Sequence, residues 1–288
     1  MMRDQAESLR NMVKKNRSVD FQVISITSGK GGVGKTSFTV NLAYILQKMG
    51  KNVLILDADL ALANVDIVLN EKPKYNLLHL LTGEKNINEI IWSSKYGIKF
   101  IPAASGFEEL ANLPKEQQMF ILNSLQDIYY SFDIMLIDTS AGISESVINF
   151  CLAADKTVVV TTPDPTAVAD SYAICRIISN YNTGNMELGL VVNMTDNEKE
   201  AERIYNATNN VIRKFSGKTI KYYGCIRKDE KLSKSIRERF VLTSRYPNSK
   251  YSQDLEIVAK AILEGNLPEK KENFWRRILN NWINLKFD

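Results

Sequence analysis

The 288 residues predict an α/β fold, a doubly wound, mostly parallel sheet flanked by helices. Three observations carry that expectation. Five short runs are apolar on both faces and rich in β-branched residues, as strands covered by helices on each side must be. Helical stretches lie between most of these runs. A glycine-rich loop follows the first run and opens the first helix.

Residues 23–27 form the first strand, followed by "SGKGGVGKTS" at 28–37. Gly29, Gly34, Lys35 and Thr36 stand at the spacing of a phosphate-binding loop. The helix over roughly 35–49 ends at Gly50, where a C-terminal cap belongs. Residues 53–56 form the second strand and run into Asp57 and Asp59, which share a face because they are two apart on an extended segment. A helix is expected over 115–130, then a strand at 134–137 that leads to Asp138 and, four residues on, to Gly142. The fourth strand spans 157–161, and Asp164 with Pro165 supplies a cap and a first-turn proline for a helix over 166–181. The fifth, 188–192, runs into Asn193 and a helix over 196–214.

Apolar residues make up 44% and charged residues 24% of the chain, the balance of a globular protein. No apolar run approaches the ~20 residues that cross a bilayer, and no secretion signal opens the chain. Cys151, Cys175 and Cys225 lack disulfide or metal spacing and read as reduced thiols of a cytoplasmic protein. His79 is the only histidine, which excludes a His-based triad or a multi-His metal site. Net charge is +4, yet residues 213–250 hold twelve Lys/Arg against Asp229, Glu230 and Glu238. That segment faces nucleic acid, anionic lipid or an acidic partner, or is simply a solvated face.

The loop's chemistry follows from its residue types. Backbone N–H groups of Gly29, Gly31, Gly32, Val33, Gly34 and Ser37 approach phosphate closely, and the helix start adds partial positive charge. Lys35 is expected to reach the β/γ-phosphates and the Thr36 hydroxyl to ligate Mg²⁺. Asp138 fits the acidic residue of a Walker-B strand. Of Asp57 and Asp59, one serves the metal and the other orients the attacking water; a helix cap is the other reading of Asp57.

"GKGGVGKT" with "DAD" and "DTSAG" resembles the deviant Walker-A ATPases, the MinD/ParA group of P-loop NTPases. The resemblance implies ATP and Mg²⁺ as cofactors, slow hydrolysis to ADP and phosphate, and a homodimer in the ATP state. In that group the early lysine, here Lys30, crosses to the other subunit's nucleotide. The physical logic is that two polyphosphates packed near each other demand extra cations. "DADLALANVDIVL", "YNLLHLLTGEKNINEII", "GIKFIPAASG", "TTPDPTAVADSYAI" and "VVNMTDNEKEAERIYN" further resemble the FlhG (FleN, YlxH) branch, MinD-like regulators of flagellar number and placement, over roughly residues 1–265. By that likeness Asp57 and Asp138 serve Mg²⁺, Asp59 orients water, Asp138 and Gly142 form the second switch, and Asn193 meets the adenine. Arg227 in "GCIRKDE" stands where the group commonly has a proline after the last strand. "NMTD" resembles a guanine reader, but Met194 replaces the lysine that stacks on the base, which favours ATP.

Both ends stand apart, giving a division into an N-terminal segment 1–18, an ATPase domain 19–265, a linker 266–273 and an amphipathic helix 274–288. At 100° per residue, Phe274, Trp275, Ile278, Leu279, Trp282 and Ile283 cover one side of that helix. Such a stripe suits the headgroup layer at the inner face of the cytoplasmic membrane, as in MinD-type proteins, or docking on the domain's own core. "DQAESLR", residues 4–10, resembles the motif with which FlhG proteins engage the GTPase FlhF, implying Asp4, Gln5, Leu9 and Arg10 as contacts; a disordered tail is the other reading. Flagellar basal-body or transcription-regulator proteins are further partners that the likeness implies. The alternative function is a ParA-type DNA-segregating ATPase using the basic 213–250 segment. A biosynthetic ligase or nitrogenase-type reductase would need a substrate site or paired cluster cysteines, and neither is visible.

Overall fold

A computed structural model describes residues 21–59, 64–102, 128, 131–182, 186–264 and 274–284. Among them is an eight-stranded sheet in the order β3-β4-β2-β5-β1-β6-β7-β8. Its strands are β1 (Gln22–Ser28), β2 (Val53–Ala58), β3 (Trp92–Ser93), β4 (Lys99–Ile101), β5 (Ile134–Ala141), β6 (Lys156–Thr161), β7 (Glu187–Thr195) and β8 (Lys221–Arg227). All neighbours pair in parallel except β3 with β4. The five expected strands lie within β1, β2, β5, β6 and β7. β1 is buried along its whole length, as its apolar run requires.

Helices cover both faces. On one, Ile24 and Ile26 pack with Phe38 and Leu42 of α1 (Lys35–Lys48). On the other, Val23 and Ile137 pack with Phe150 of α5 (Glu145–Ala153), and Val159 and Leu190 with Ile174 and Ile178 of α6 (Pro165–Tyr181). The Asp164 side chain caps α6 through the amides of Thr166 and Ala167, with proline in the first turn as read from the sequence. The helix expected from 196 begins at Glu198, because Asn197 is its cap. The segment 115–130 falls outside the described residues save 128.

β1 sits between β5 and β6, so the loops after these three strands meet at one end of the sheet. That is the crevice where open α/β sheets bind ligands.

One expectation needs correction. Gly224 and Ile226 lie inside β8, and Arg227 is its last residue. The C-terminal helix α11 (Phe274–Asn284) is not a detached module. Its Phe274, Trp275 and Ile278 are buried in the cluster that holds Phe150, Ala153 and Ala154. Arg277 donates to Asp155 Oδ1 at 2.9 Å, and Asp155 Oδ2 accepts the Val23 N–H at 2.9 Å. Of the two readings of the stripe, the structure therefore displays docking. The side chains of Leu279, Trp282 and Ile283 lie outside the described set, as do Asp4, Gln5, Leu9 and Arg10. No described helix is long and apolar enough to cross a membrane.

Candidate active site

The glycine-rich loop begins where β1 ends, and Ser28 Oγ ties it back by donating to the Lys30 carbonyl at 3.0 Å. Gly34 precedes α1 with φ +88°, a left-handed conformation that glycine adopts without strain. Gly29 passes so close to α6 that a Cβ there would stand 2.3 Å from the Asp170 carbonyl, whereas a Cβ at Gly31 would meet nothing within 4 Å. The loop is thus anchored at its start and open at its tip. Thr36 is half-buried and Ser37 buried.

Lys35, in the first turn of α1, is buried and reaches across to β5, where Nζ lies 3.0 Å from Asp138 Oδ1. Thr39 Oγ stands 3.0 Å from the same oxygen. Asp138 is fully buried, and its Oδ2 has no hydrogen-bond partner among the described residues. Asp57 is its cross-strand neighbour on β2. Burial, reinforced by the Asp138 charge, pushes the Asp57 carboxyl up to about 7 against the pull of three backbone N–H groups.

Those N–H groups hold both carboxylate oxygens of Asp57. Oδ1 accepts from Asp59 N at 3.2 Å, and Oδ2 from Asn64 N and Val65 N, both at 3.1 Å. Asp57 therefore ties the start of α2 (Val65–Leu69) to β2, the capping role that the sequence left open to it. Asp59 is held through both oxygens, by Ser140 Oγ at 3.0 Å and Asn64 Nδ2 at 3.2 Å. Gly142 donates to the Ser28 carbonyl at 2.8 Å, joining the end of β5 to the phosphate loop.

Lys30 is exposed and turned toward α6. Its Nζ lies 3.3 Å from Asp164 Oδ1 and donates to the Thr166 hydroxyl. The Asp164 carboxyl is drawn down to about 2 by the Thr166 hydroxyl, the Ala167 N–H and Lys30, in that order.

Asn193 joins the end of β7 to the loop. It is fully buried, donates from Nδ2 to the Val33 carbonyl at 2.8 Å and accepts the Met194 N–H at 3.0 Å. It clamps the phosphate loop to the end of β7. Beside it opens a cavity of about 830 Å³ lined by Met194, Lys228, Asp229, Leu232, Ile236 and Asn248. Asp196, the last residue of "NMTD", is paired with Lys228 at 2.9 Å. Arg227 is turned to Asp254, which its Nε and Nη2 reach at 2.9 and 2.7 Å.

The donor set fits Mg²⁺. Thr36 and the unpartnered Asp138 Oδ2 offer hard oxygen ligands, and a cation that keeps several waters and binds phosphate needs only one or two from protein. No group of three or more Asp, Glu, His or Cys converges among the described residues, and water with phosphate oxygens would fill the remaining positions. Thr39, Asn64 and Ser140 escaped the sequence reading. Only Thr39 left a signal, its place four residues after Lys35 on the same face of α1.

A family model described as "AAA domain" matches residues 21–189. The antiactivator FleN of Pseudomonas aeruginosa is 33% identical over 86% of this chain and 88% of its own length. The flagellum site-determining protein YlxH of Helicobacter pylori is 35% identical over 96% of this chain and 99% of its own. Among solved structures, the cell division ATPase MinD of Pyrococcus furiosus superposes with a TM-score of 0.66 at 25% identity, covering 84% of this chain and 98% of MinD. The septum site-determining protein MinD of Pyrococcus horikoshii, solved with Mg-ADP, gives 0.66 at 24% identity, covering 85% and 96%.

Proposed function

The chain belongs to the AAA-domain family of MinD/ParA-type ATPases, and from that premise we propose that it is an ATP-driven dimerisation switch at the membrane that controls flagellar number and placement. The relative named for determining flagellum sites supports the process. The observation that carries the switch is Lys30. A phosphate loop needs one lysine, and Lys35 fills that place from inside the fold. Lys30 is exposed at the loop's rim and held on Asp164 and Thr166, away from its own chain's Lys35–Asp138 pair.

In this reading Lys35 moves from Asp138 to the β/γ-phosphates when ATP enters. Thr36 and Asp138 hold Mg²⁺, which when bound neutralises phosphate charge. Asp59, steadied by Ser140 and Asn64, orients the attacking water. The Lys30 of each copy places its ammonium on the other copy's phosphates, so ATP holds the two chains together. Release of α11 bares Phe274, Trp275 and Ile278 for the headgroup layer, and two helices on one dimer gain by effective concentration. The 4–10 segment engages FlhF as its GTPase partner.

A DNA-segregating role draws less support. Within the basic segment, Lys221 pairs with Glu187, Arg227 with Asp254, Lys228 with Asp196 and Arg245 with Glu238, while Lys218 donates to the carbonyls of Ser179 and Asn182. Five of the twelve cations of that segment are thus engaged within the chain.

The test is the solution mass of the Asp59→Ala protein with ADP and with ATP, followed by flotation with anionic liposomes. A dimer with ATP alone, floating only in that state, is expected. A single chain at saturating ATP would sink the switch.

A further inference from the structure

We infer that Thr39 is a positioning residue of the active site: its hydroxyl orients the Asp138 carboxylate so that Oδ2 is the oxygen turned to the nucleotide's divalent cation. The inference rests on the reading of Asp138 as a cation-facing carboxylate.

Thr39 lies on α1 one turn beyond Lys35 and is fully buried. Its Oγ is 3.0 Å from the Lys35 carbonyl and 3.0 Å from Asp138 Oδ1. The first contact is ordinary for a threonine inside a helix. The second is not, because it crosses from the helix to the sheet. A hydroxyl has one proton to give, and an ionised carboxylate is the stronger acceptor.

The two oxygens of Asp138 are treated unequally. Oδ1 receives both Lys35 Nζ and Thr39 Oγ; Oδ2 receives no donor among the described residues. An unpartnered oxygen on a fully buried carboxylate is costly unless a cation or water meets it. With two donors on one side, the carboxylate cannot turn without losing both.

Lys35 cannot hold that orientation alone through a nucleotide cycle, because the phosphates compete for its ammonium. Thr39 is the other donor to Oδ1. It is neutral and, lying a turn beyond the loop, is out of the competition. The hydroxyl therefore keeps Oδ2 presented after Lys35 is drawn away. Such supporting contacts to a ligating group typically change metal affinity by about 10–100-fold when removed.

The experiment uses Mn²⁺ as the probe, with free Mn²⁺ read by electron paramagnetic resonance on the ADP-loaded full chain. ADP affinity in EDTA is measured in parallel. Thr39→Val is expected to weaken Mn²⁺ binding about tenfold or more, leave ADP affinity in EDTA unchanged, and be rescued by Thr39→Ser. Thr39→Ala, which suits a helix and removes the same hydroxyl, supplies the measurement should the valine variant not fold. Unchanged Mn²⁺ affinity in the hydroxyl-less protein overturns the inference. So does an equal loss of ADP affinity with and without metal, which would leave the hydroxyl serving only the helix. Asp138→Asn separates the two levels. If it leaves Mn²⁺ binding intact, the cation-facing reading of Asp138 has failed; if it abolishes binding while Thr39→Val does not weaken it, only the role of Thr39 has failed.

Discussion

Lys30 and Asp164 face each other within one chain, Nζ to Oδ1 at 3.3 Å, and the same oxygen caps α6 through the amides of Thr166 and Ala167. The lysine proposed to reach a second copy is thus detained by a carboxylate that also starts a helix. Asparagine caps as well as aspartate but carries no charge. Asp164→Asn should therefore keep α6 and remove the charge that draws Lys30, leaving it only neutral acceptors there. The ATP-dependent dimer should then form at lower protein concentration in ultracentrifugation, by a modest factor because both groups are exposed. Lys30→Ala should bind ATP and sediment as a single chain. A dimer no tighter after Asp164→Asn would mean that the contact restrains nothing.

Lys35 and Asp138 form a pair with little access to water. Lys35→Ala should abolish nucleotide binding. It should also cost about 3 kcal/mol in the nucleotide-free protein, since removing one partner strands a buried charge. Adding Asp138→Asn should restore part of that loss. Urea melts of the two variants check this, and a double variant no more stable than Lys35→Ala would contradict it.

Asp59 is fixed by one donor from the β5 end and one from the start of α2. Asp59→Ala should bind ATP normally and lose at least about 100-fold in turnover, the scale of a general-base contribution. Ser140→Ala removes one of its supports and should lower turnover about tenfold, the worth of a hydrogen bond to a charged group. Single-turnover hydrolysis gives both numbers. Full activity in Ser140→Ala would show that the hydroxyl of Ser140 is not needed to hold Asp59.

Docking of α11 gives a two-sided expectation. Trp275→Ala should cost about 3 kcal/mol in a melt, as truncation of a buried aromatic does. Arg277→Ala breaks the ion pair with Asp155 and leaves the apolar face intact. It should raise liposome binding without ATP, while deletion of 270–288 should abolish binding altogether. Liposome binding unchanged by that deletion would assign membrane contact elsewhere.

The central strands were legible because each is apolar on both faces. The edges were not. β8 reads "KYYGCIR", with charge at both ends and a glycine inside, and its buried positions are few. β3 and β4 are two and three residues long, too short for any period to register. Around the nucleotide site, residue type and spacing announced Lys35, Asp138 and the caps. They did not announce side-chain direction. Asn193 stands at the end of β7, where a base contact is reasonable, yet its amide is taken by Val33. The stripe of α11 has the same period whether it meets lipid or Phe150, so its location needed the tertiary structure.

The contrast between Gly29 and Gly31 has a practical reading. A methyl group at 29 collides with the Asp170 backbone, so alanine there should lower the melting temperature of the lone chain. At 31 it touches no atom of that chain. A thermal screen run without ligand would score Gly31→Ala as harmless, and any intolerance seen in cells would have to be imposed by a neighbour that such a screen omits.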